Sequence, residues 1–399
     1  MSRNLLPTLP PRIPKPAELQ AAFTSKLHEP RTAVVIGRWL GATFLICFVT
    51  GLFSHVLQDP PGWLRDSLPS RPVNGYRITQ GLHVISGIAA IPLLGAKLWT
   101  VYPRLFTWPP AKSVLQALER LGIVLLLGSA LLEVFTGLLN TLQWYPWPFP
   151  FRQTHFWLAW IAIGGLLLHI AAKWPEIAAN WRRVRADRDG GAGAGAGGAG
   201  EGVVPGRRAF LAGVAVSVLT VTLVTAGQSV PWLRRLDLLA PRRPDVGPQG
   251  LPVNRTAAAA GLTAVAGADW RLAVAGPRPY TLTLAELGAL PQVTATLPIA
   301  CVEGWSASAS WTGVRVRDLV ERAGADGHAR LRVVSLDQQG GYGVTEMEAA
   351  YARDPLTLLA LRVNGEVLAA DHGYPARIIA PNRPGVLQTK WVSRLEVIA

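Results

Sequence analysis

Five long apolar stretches, at residues 39–58, 80–101, 117–142, 154–173 and 209–230, dominate the first 230 positions of the chain. Each is close to the ~20 residues that carry a helix across about 30 Å of hydrocarbon, and the first contains no Asp, Glu, Lys or Arg. The pattern predicts five membrane-spanning helices. Beyond residue 230 it changes: short runs at 270–274, 280–284 and 329–335 alternate with the period of two expected of half-buried strands. Residues 315–323 and 345–352 read as short helices. A membrane α-helical bundle, four helices plus a fifth anchor helix, is therefore expected to precede an α+β domain that is mainly β, long enough for one core.

A glycine–alanine run at 189–202 (DGGAGAGAGGAGEG) marks a flexible joint between the two parts. The expected organisation is a cytoplasmic N-terminal segment (1–32), a four-helix membrane domain (33–180), a basic and Gly/Ala-rich linker (181–206), a fifth helix (207–230) and an outer domain (231–399). The fifth helix opens on Arg207-Arg208-Ala-Phe-Leu211, which is similar to a twin-arginine export signal in internal position and is equally the ordinary basic flank of a span.

Half of the residues are hydrophobic, 16% are charged and the mean hydropathy is +0.26, values that exclude a wholly soluble protein. The net charge of +14 would suit nucleic acid, but its distribution does not: +11 belongs to residues 1–230 and only +3 to the rest. With the N-terminus inside, 17 of the 21 Lys and Arg of the first part face the cytoplasm, and only Arg65, Arg71, Arg77 and Arg152 lie outside. That is the positive-inside pattern of a multi-pass protein of the bacterial cytoplasmic membrane, and it places the C-terminal domain outside. Trp63, Trp108, Trp144 and Trp147 flank the spans as interfacial belts.

Five of the seven histidines, His28, His55, His83, His155 and His169, lie in or beside the first four spans, where ionisable groups are costly and functional by default. His155 and His169 are 14 residues apart, which returns them to within about 40° of one helix face and separates them by about 21 Å. His83 lies at the outer level of His155. This arrangement resembles the four-helix cytochrome b modules of b561-like proteins and formate dehydrogenase membrane subunits, whose fourth helix bears two haem ligands. The resemblance implies haem b between His83 and His155, and a second, inner haem between His169 and His28. His55 either replaces an outer ligand or faces water at its helix end. Glu133, the one acid deep in a span, is suited to a quinol proton, to Arg77 or to a haem propionate.

The outer domain contains one thiol, Cys301, in LPIACVEGW (297–305). A lone cysteine facing an oxidising compartment is either a buried apolar residue or a ligand protected by a soft metal. Its flanks, together with Val363-Asn-Gly-Glu366, the His-Gly-x-Pro-x-Arg run from His372 to Arg377, the Lys390–Trp391 pair and an early Asn254, resemble the sulfite-oxidase family of molybdopterin enzymes over about residues 250–399. The resemblance implies molybdenum on Cys301 and a pterin held by Asn254, Arg255, His372, Arg377 and Lys390. Arginine suits such a phosphate-bearing group through its planar fork, although a satisfied turn with a surface arginine would also explain His372 to Arg377. Sulfite oxidases place an arginine directly before the early Asn, whereas Val253 stands here.

The expected function is a membrane-bound molybdopterin-dependent oxidoreductase, exchanging electrons between quinone or quinol and an extracytoplasmic substrate through haem b. An S-oxide, small molecule or protein, is the favoured substrate. Oxidation of a small substrate with electrons to quinone, and a non-enzymatic cytochrome b conduit, are the alternatives.

Overall fold

The computed structural model describes residues 26–103, 113–189, 206–262, 268–326 and 328–398. The 1–25 part of the N-terminal segment and the 190–202 part of the glycine–alanine run lie outside the described residues. The five expected spans are helices α1 (Pro30–Gln58), α2 (Gly75–Val101), α3 (Val114–Thr141), α4 (Phe151–Asp189) and α5 (Arg207–Ala226). Pro30 opens α1, where its missing N–H costs nothing. All five are long and apolar enough to cross a membrane, and the buried share of their apolar stretches runs from 44% in α2 down to 6% in α5. Apolar side chains such as Leu45, Val49, Phe53, Leu167 and Leu168 are thus turned outward, as a lipid-facing surface requires.

The chain divides into two compact units, and the division falls within the helices. One unit holds Met1–Leu45, Ala89–Phe135 and Trp157–Thr220. Its core is Ile36 and Leu40 of α1, Ala90, Leu93 and Leu94 of α2 and Ala130 of α3, with Phe210, Leu211, Val214 and Val218 of α5 packed against it.

The other unit holds Ile46–Ile88, Thr136–Phe156 and Val221–Ala399. It contains two five-stranded sheets. The first runs β2 (Tyr280–Thr283), β1 (Arg271–Ala275), β10 (Val392–Ile398), β5 (Arg330–Ser335), β6 (Val344–Met347), antiparallel except for the β1–β10 pair. The second runs β3 (Val293–Ala300), β4 (Ser306–Arg315), β7 (Leu358–Val363), β8 (Glu366–Val367), with β9 (Arg377–Ile379) also on β7. Helices α6 (Leu284–Ala289), α7 (Val316–Arg322) and α8 (Ala349–Arg353) complete it. Leu57, Leu68 and Tyr76, from α1, the following loop and the start of α2, belong to the same buried cluster as Leu272, Leu331, Ile378 and Leu395.

Three local expectations are corrected. Residues 345–352 are not one helix: Thr345 and Met347 pair with Val333 and Leu331 in β6, and only then does α8 begin. Both side chains are buried while Glu346 between them is not, so the segment has a strand's period of two. Leu284 does not end a strand but opens α6, because Thr283 and Glu286 form a capping box. Helix α4 also continues as far as Asp189, into the stretch read as linker.

Candidate functional site

Cys301 follows the last residue of β3 and begins a five-residue loop to β4, closed by Ala300 pairing with Ser306. Its N–H donates to Trp305 O at 2.9 Å, and Gly304 N–H donates to Cys301 O at 3.1 Å. Gly304 has φ +99°, and a Cβ there would stand 2.8 Å from Val84, so only glycine lets the loop lie this close to α2. The thiol is 4% exposed, and burial, followed by the nearby Glu303 carboxylate, pushes it up to about 12. Asn254 Nδ2 donates to Cys301 Sγ at 2.7 Å. Trp305 Nε1 lies 3.1 Å from Asn254 Oδ1 and 3.3 Å from Glu303 Oε2. Gln143 Nε2 donates to Glu303 Oε1. Burial raises Glu303 above the usual carboxylate range, the donors Gln143 and Trp305 opposing it.

The loop is fastened from outside the sheets. Gln80 of α2 and Asn140 of α3 both donate to Val302 O, at 2.9 and 3.1 Å. Ser229 Oγ donates to Gly304 O, and Ser306 N–H donates to Gln228 O at 2.8 Å. Sequence reasoning missed Gln80, Asn140, Gln143, Glu303 and Trp305. The available signal was position: Gln80 is one helical turn before His83, and Glu303 and Trp305 stand two and four residues after the cysteine.

His372, Gly373, Arg377 and Lys390 converge. Gly373 has φ +106°, and a Cβ on it would meet Lys390 Cβ at 2.9 Å and Arg377 Cβ at 3.1 Å, so the glycine is what allows both basic residues to lie together. Arg377 is 5% exposed, donates to His372 O and Gln388 O, and its Nε has no acceptor. No carboxylate pairs with it among the described residues, and burial brings it down to about 10. Lys390 Nζ donates to Arg255 O and to Asp371 O, and burial, then Arg377, lower it to about 7. His372 donates from Nε2 to Pro248 O at 2.6 Å and is lowered by burial to about 4, so it enters as a neutral ring. Arg255 forms a two-point pair with Asp337 (2.6 and 3.0 Å), which raises the arginine and lowers the carboxylate despite burial.

A buried Arg377 with an unused Nε–H and no carboxylate partner among the described residues, beside a half-buried Lys390, makes a site suited to an anion. The donor set fits the phosphate of a pterin cofactor, and the amide-bonded thiol fits one metal ligand. Among the described residues no three His, Cys, Asp or Glu side chains converge. In the cofactor-free protein, Lys390 is easier to protonate unfolded (10.5) than folded (about 7). The unfolded chain binds more protons between those values, so stability rises with pH across that window. Thermal unfolding of the cofactor-free chain is expected to shift to higher temperature from pH 7 to 10, and cofactor loading is expected to flatten that rise.

A second cluster lies on α2 and α4, in the same compact unit as the sheets. The rings of His83 and His155 are edge-on, with centroids 6.0 Å apart and planes at 88°. That is about the separation of two imidazoles on one metal at bonds of about 2 Å each. His83 Nδ1 donates to Cys47 O at 2.8 Å, and His155 Nδ1 lies 2.9 Å from Thr136 Oγ1. Ligating histidines are typically oriented in this way through the other ring nitrogen. A Cβ on Gly51 would meet His83 at 2.6 Å. The residues therefore fit a bis-histidine haem. His55 stacks on Phe156 at 3.8 Å. Arg77 donates to Ser308 Oγ at 2.9 Å. In the other unit, which also holds His169 and Glu133, His28 sits in the short turn Lys26–His28, 3.4 Å from Thr100 O and tilted against Trp99.

Residues 260–399 match the family described as oxidoreductase molybdopterin binding domain. The chain is 32% identical over 216 residues to a protein of Azospira oryzae assigned as protein-methionine-sulfoxide reductase subunit YedZ1, covering 49% of this chain and 81% of that one. It is 38% identical over 96 residues to nitrate reductase [NAD(P)H] of Hordeum vulgare, covering 22% of this chain and 11% of that one. With mitochondrial sulfite oxidase of Drosophila melanogaster it shares 30% identity over 155 residues, covering 32% of this chain and 27% of that one. The chain thus spans most of the YedZ1 protein and only a small part of the other two. It belongs to the family of that YedZ1 subunit, and it is an enzyme whose C-terminal part is a sulfite-oxidase-type molybdopterin oxidoreductase domain.

Proposed function

We propose that the chain is a membrane-bound, molybdopterin-dependent reductase that takes electrons from quinol through haem b and delivers them to an S-oxide outside the cytoplasmic membrane. The observation that carries this reading is the buried thiol of Cys301, held by an amide donor in the same domain as the buried Arg377, which has no carboxylate partner among the described residues, and the half-buried Lys390 beside it. The overall change is R2SO plus two electrons and two protons giving R2S and water, with quinol as the source of both. The bound molybdenum cofactor supplies the two-electron oxygen-atom transfer.

The chain's own residues do the rest. Cys301 supplies the thiolate and Asn254 holds it. Arg377 and Lys390 neutralise the pterin phosphate, and Gly373 lets them approach each other. His372, fixed by Pro248 O, offers a neutral ring. Trp305 and the loop backbone keep water from the sulfur. His83 and His155 hold the haem; His28 and His169 are the candidate ligands of an inner one. The excess of Lys and Arg on the opposite side supports an extracytoplasmic C-terminal domain.

The name of the YedZ1 relative supports a sulfoxide. Oxidation, as the sulfite oxidase relatives would suggest, calls for an oxyanion-binding arginine; Val253 is in its place, and Arg255 is committed to Asp337. Membranes containing the protein are expected to reduce methionine sulfoxide with added quinol, at one molybdenum per chain. Metal-replete protein that oxidises sulfite and leaves the sulfoxide untouched would refute the direction proposed.

A further inference from the structure

We propose that Trp305 is a positioning residue that fixes which end of the Asn254 amide faces Cys301, and thereby sets the electron density of the sulfur. The inference rests on Cys301 being the molybdenum ligand.

An asparagine amide has two ends of nearly equal shape and opposite hydrogen-bonding sense, so its neighbours decide its orientation. An indole N–H only donates. Trp305 Nε1 lies 3.1 Å from the Asn254 amide, so Oδ1 must face the indole and Nδ2 must face the sulfur, which it reaches at 2.7 Å. The flipped amide would set two donors together at the indole and an oxygen against the thiolate. Three features prevent the indole from swinging away. It is 4% exposed; its own backbone carbonyl accepts from Cys301 N–H at 2.9 Å; and Glu303, which shares its N–H at 3.3 Å, is itself held by Gln143. The cysteine and the tryptophan that controls its donor are thus two ends of one five-residue loop.

The chemical consequence follows from the charge on sulfur. A donor to a thiolate withdraws density from it, and a metal on that sulfur becomes easier to reduce. Loss of the indole N–H frees the amide to turn, the donor is lost, and the metal becomes harder to reduce. Packing alone would change stability and leave the potential where it was.

The test is an EPR-monitored redox titration of the purified, molybdenum-loaded full chain, with metal content measured for every sample. Trp305→Phe and Asn254→Leu are each expected to shift the one-electron equilibrium about tenfold toward the oxidised metal, about 59 mV lower. The double variant is expected to match Asn254→Leu alone, because both act through one amide. An unchanged potential in Trp305→Phe overturns the inference, as does a Trp305→Phe shift that persists in the Asn254→Leu background. Should Trp305→Phe not retain the cofactor, Trp305→His, which keeps a ring N–H, is titrated instead. A wild-type potential there supports the inference, and a fall equal to that of Asn254→Leu overturns it. Absence of molybdenum from the wild-type chain is a different result: it removes the proposed function itself, and this inference with it.

Discussion

The Cys301→Ala protein is expected to fold, to insert and to keep its reduced-haem band, while losing sulfoxide reduction by at least about 100-fold. The magnitude is a lower bound, since removing even an outer-shell partner of a metal ligand commonly costs 10–100-fold in affinity or activity. Stability should change little, because one buried sulfur is exchanged for a methyl-sized gap, worth about 1 kcal/mol. The loop has other anchors in Val302 O, Gly304 O and the Glu303 carboxylate, none of which passes through the thiol. Haem absorbance, thermal unfolding and turnover measured on one preparation separate a lost ligand from a lost fold. Turnover at the wild-type level would remove Cys301 from the chemistry.

His83→Ala or His155→Ala is expected to have the converse effect. The outer haem band disappears, quinol-driven reduction falls by about 100-fold or more, and reduction driven by a soluble dye continues. The two rings act as a pair, so the double variant should be no worse than either single one. The geometry makes the expectation specific: each ring is oriented through Nδ1, by Cys47 O and by Thr136, and Gly51 leaves room for the first of them. An unchanged reduced-haem spectrum in either variant would show that the pair packs helices and nothing more.

Much of this was legible in the sequence because hydrophobic length and period are local properties. The strands β1, β2 and β5 were found within a residue or so, and each of the five spans falls on a helix, though α1 begins well before its span and α4 runs well past its own. The helix read at 345–352 failed because the burial of Thr345 and Met347 is decided by β5, some twelve residues away in the chain. Leu284 was misread because strand and helix patterns meet at a capping Thr, where either period fits a short window. At the candidate site, Cys301, Asn254, Arg377 and Lys390 were singled out from motifs, and the structure places Asn254 against Cys301 and Arg377 beside Lys390. Arg255 was grouped with them through the same resemblance, and its guanidinium pairs with Asp337. Gln80, Asn140 and Gln143 were passed over for a different reason. Glutamines and asparagines at helix ends are common, and only the fold reveals that two of them meet one carbonyl.

That shared carbonyl has a further implication. Val302 O draws its two donors from separate transmembrane helices, and Leu57, Leu68 and Tyr76 lie in the buried cluster of the sheets. A fragment cut after the fifth helix would take the redox loop along with Gln228 and Ser229, but leave Gln80, Asn140 and part of its interior behind. The setting of the sulfur's loop therefore depends in part on the apolar helices, and a change that moves Gln80 or Asn140 is expected to reach it.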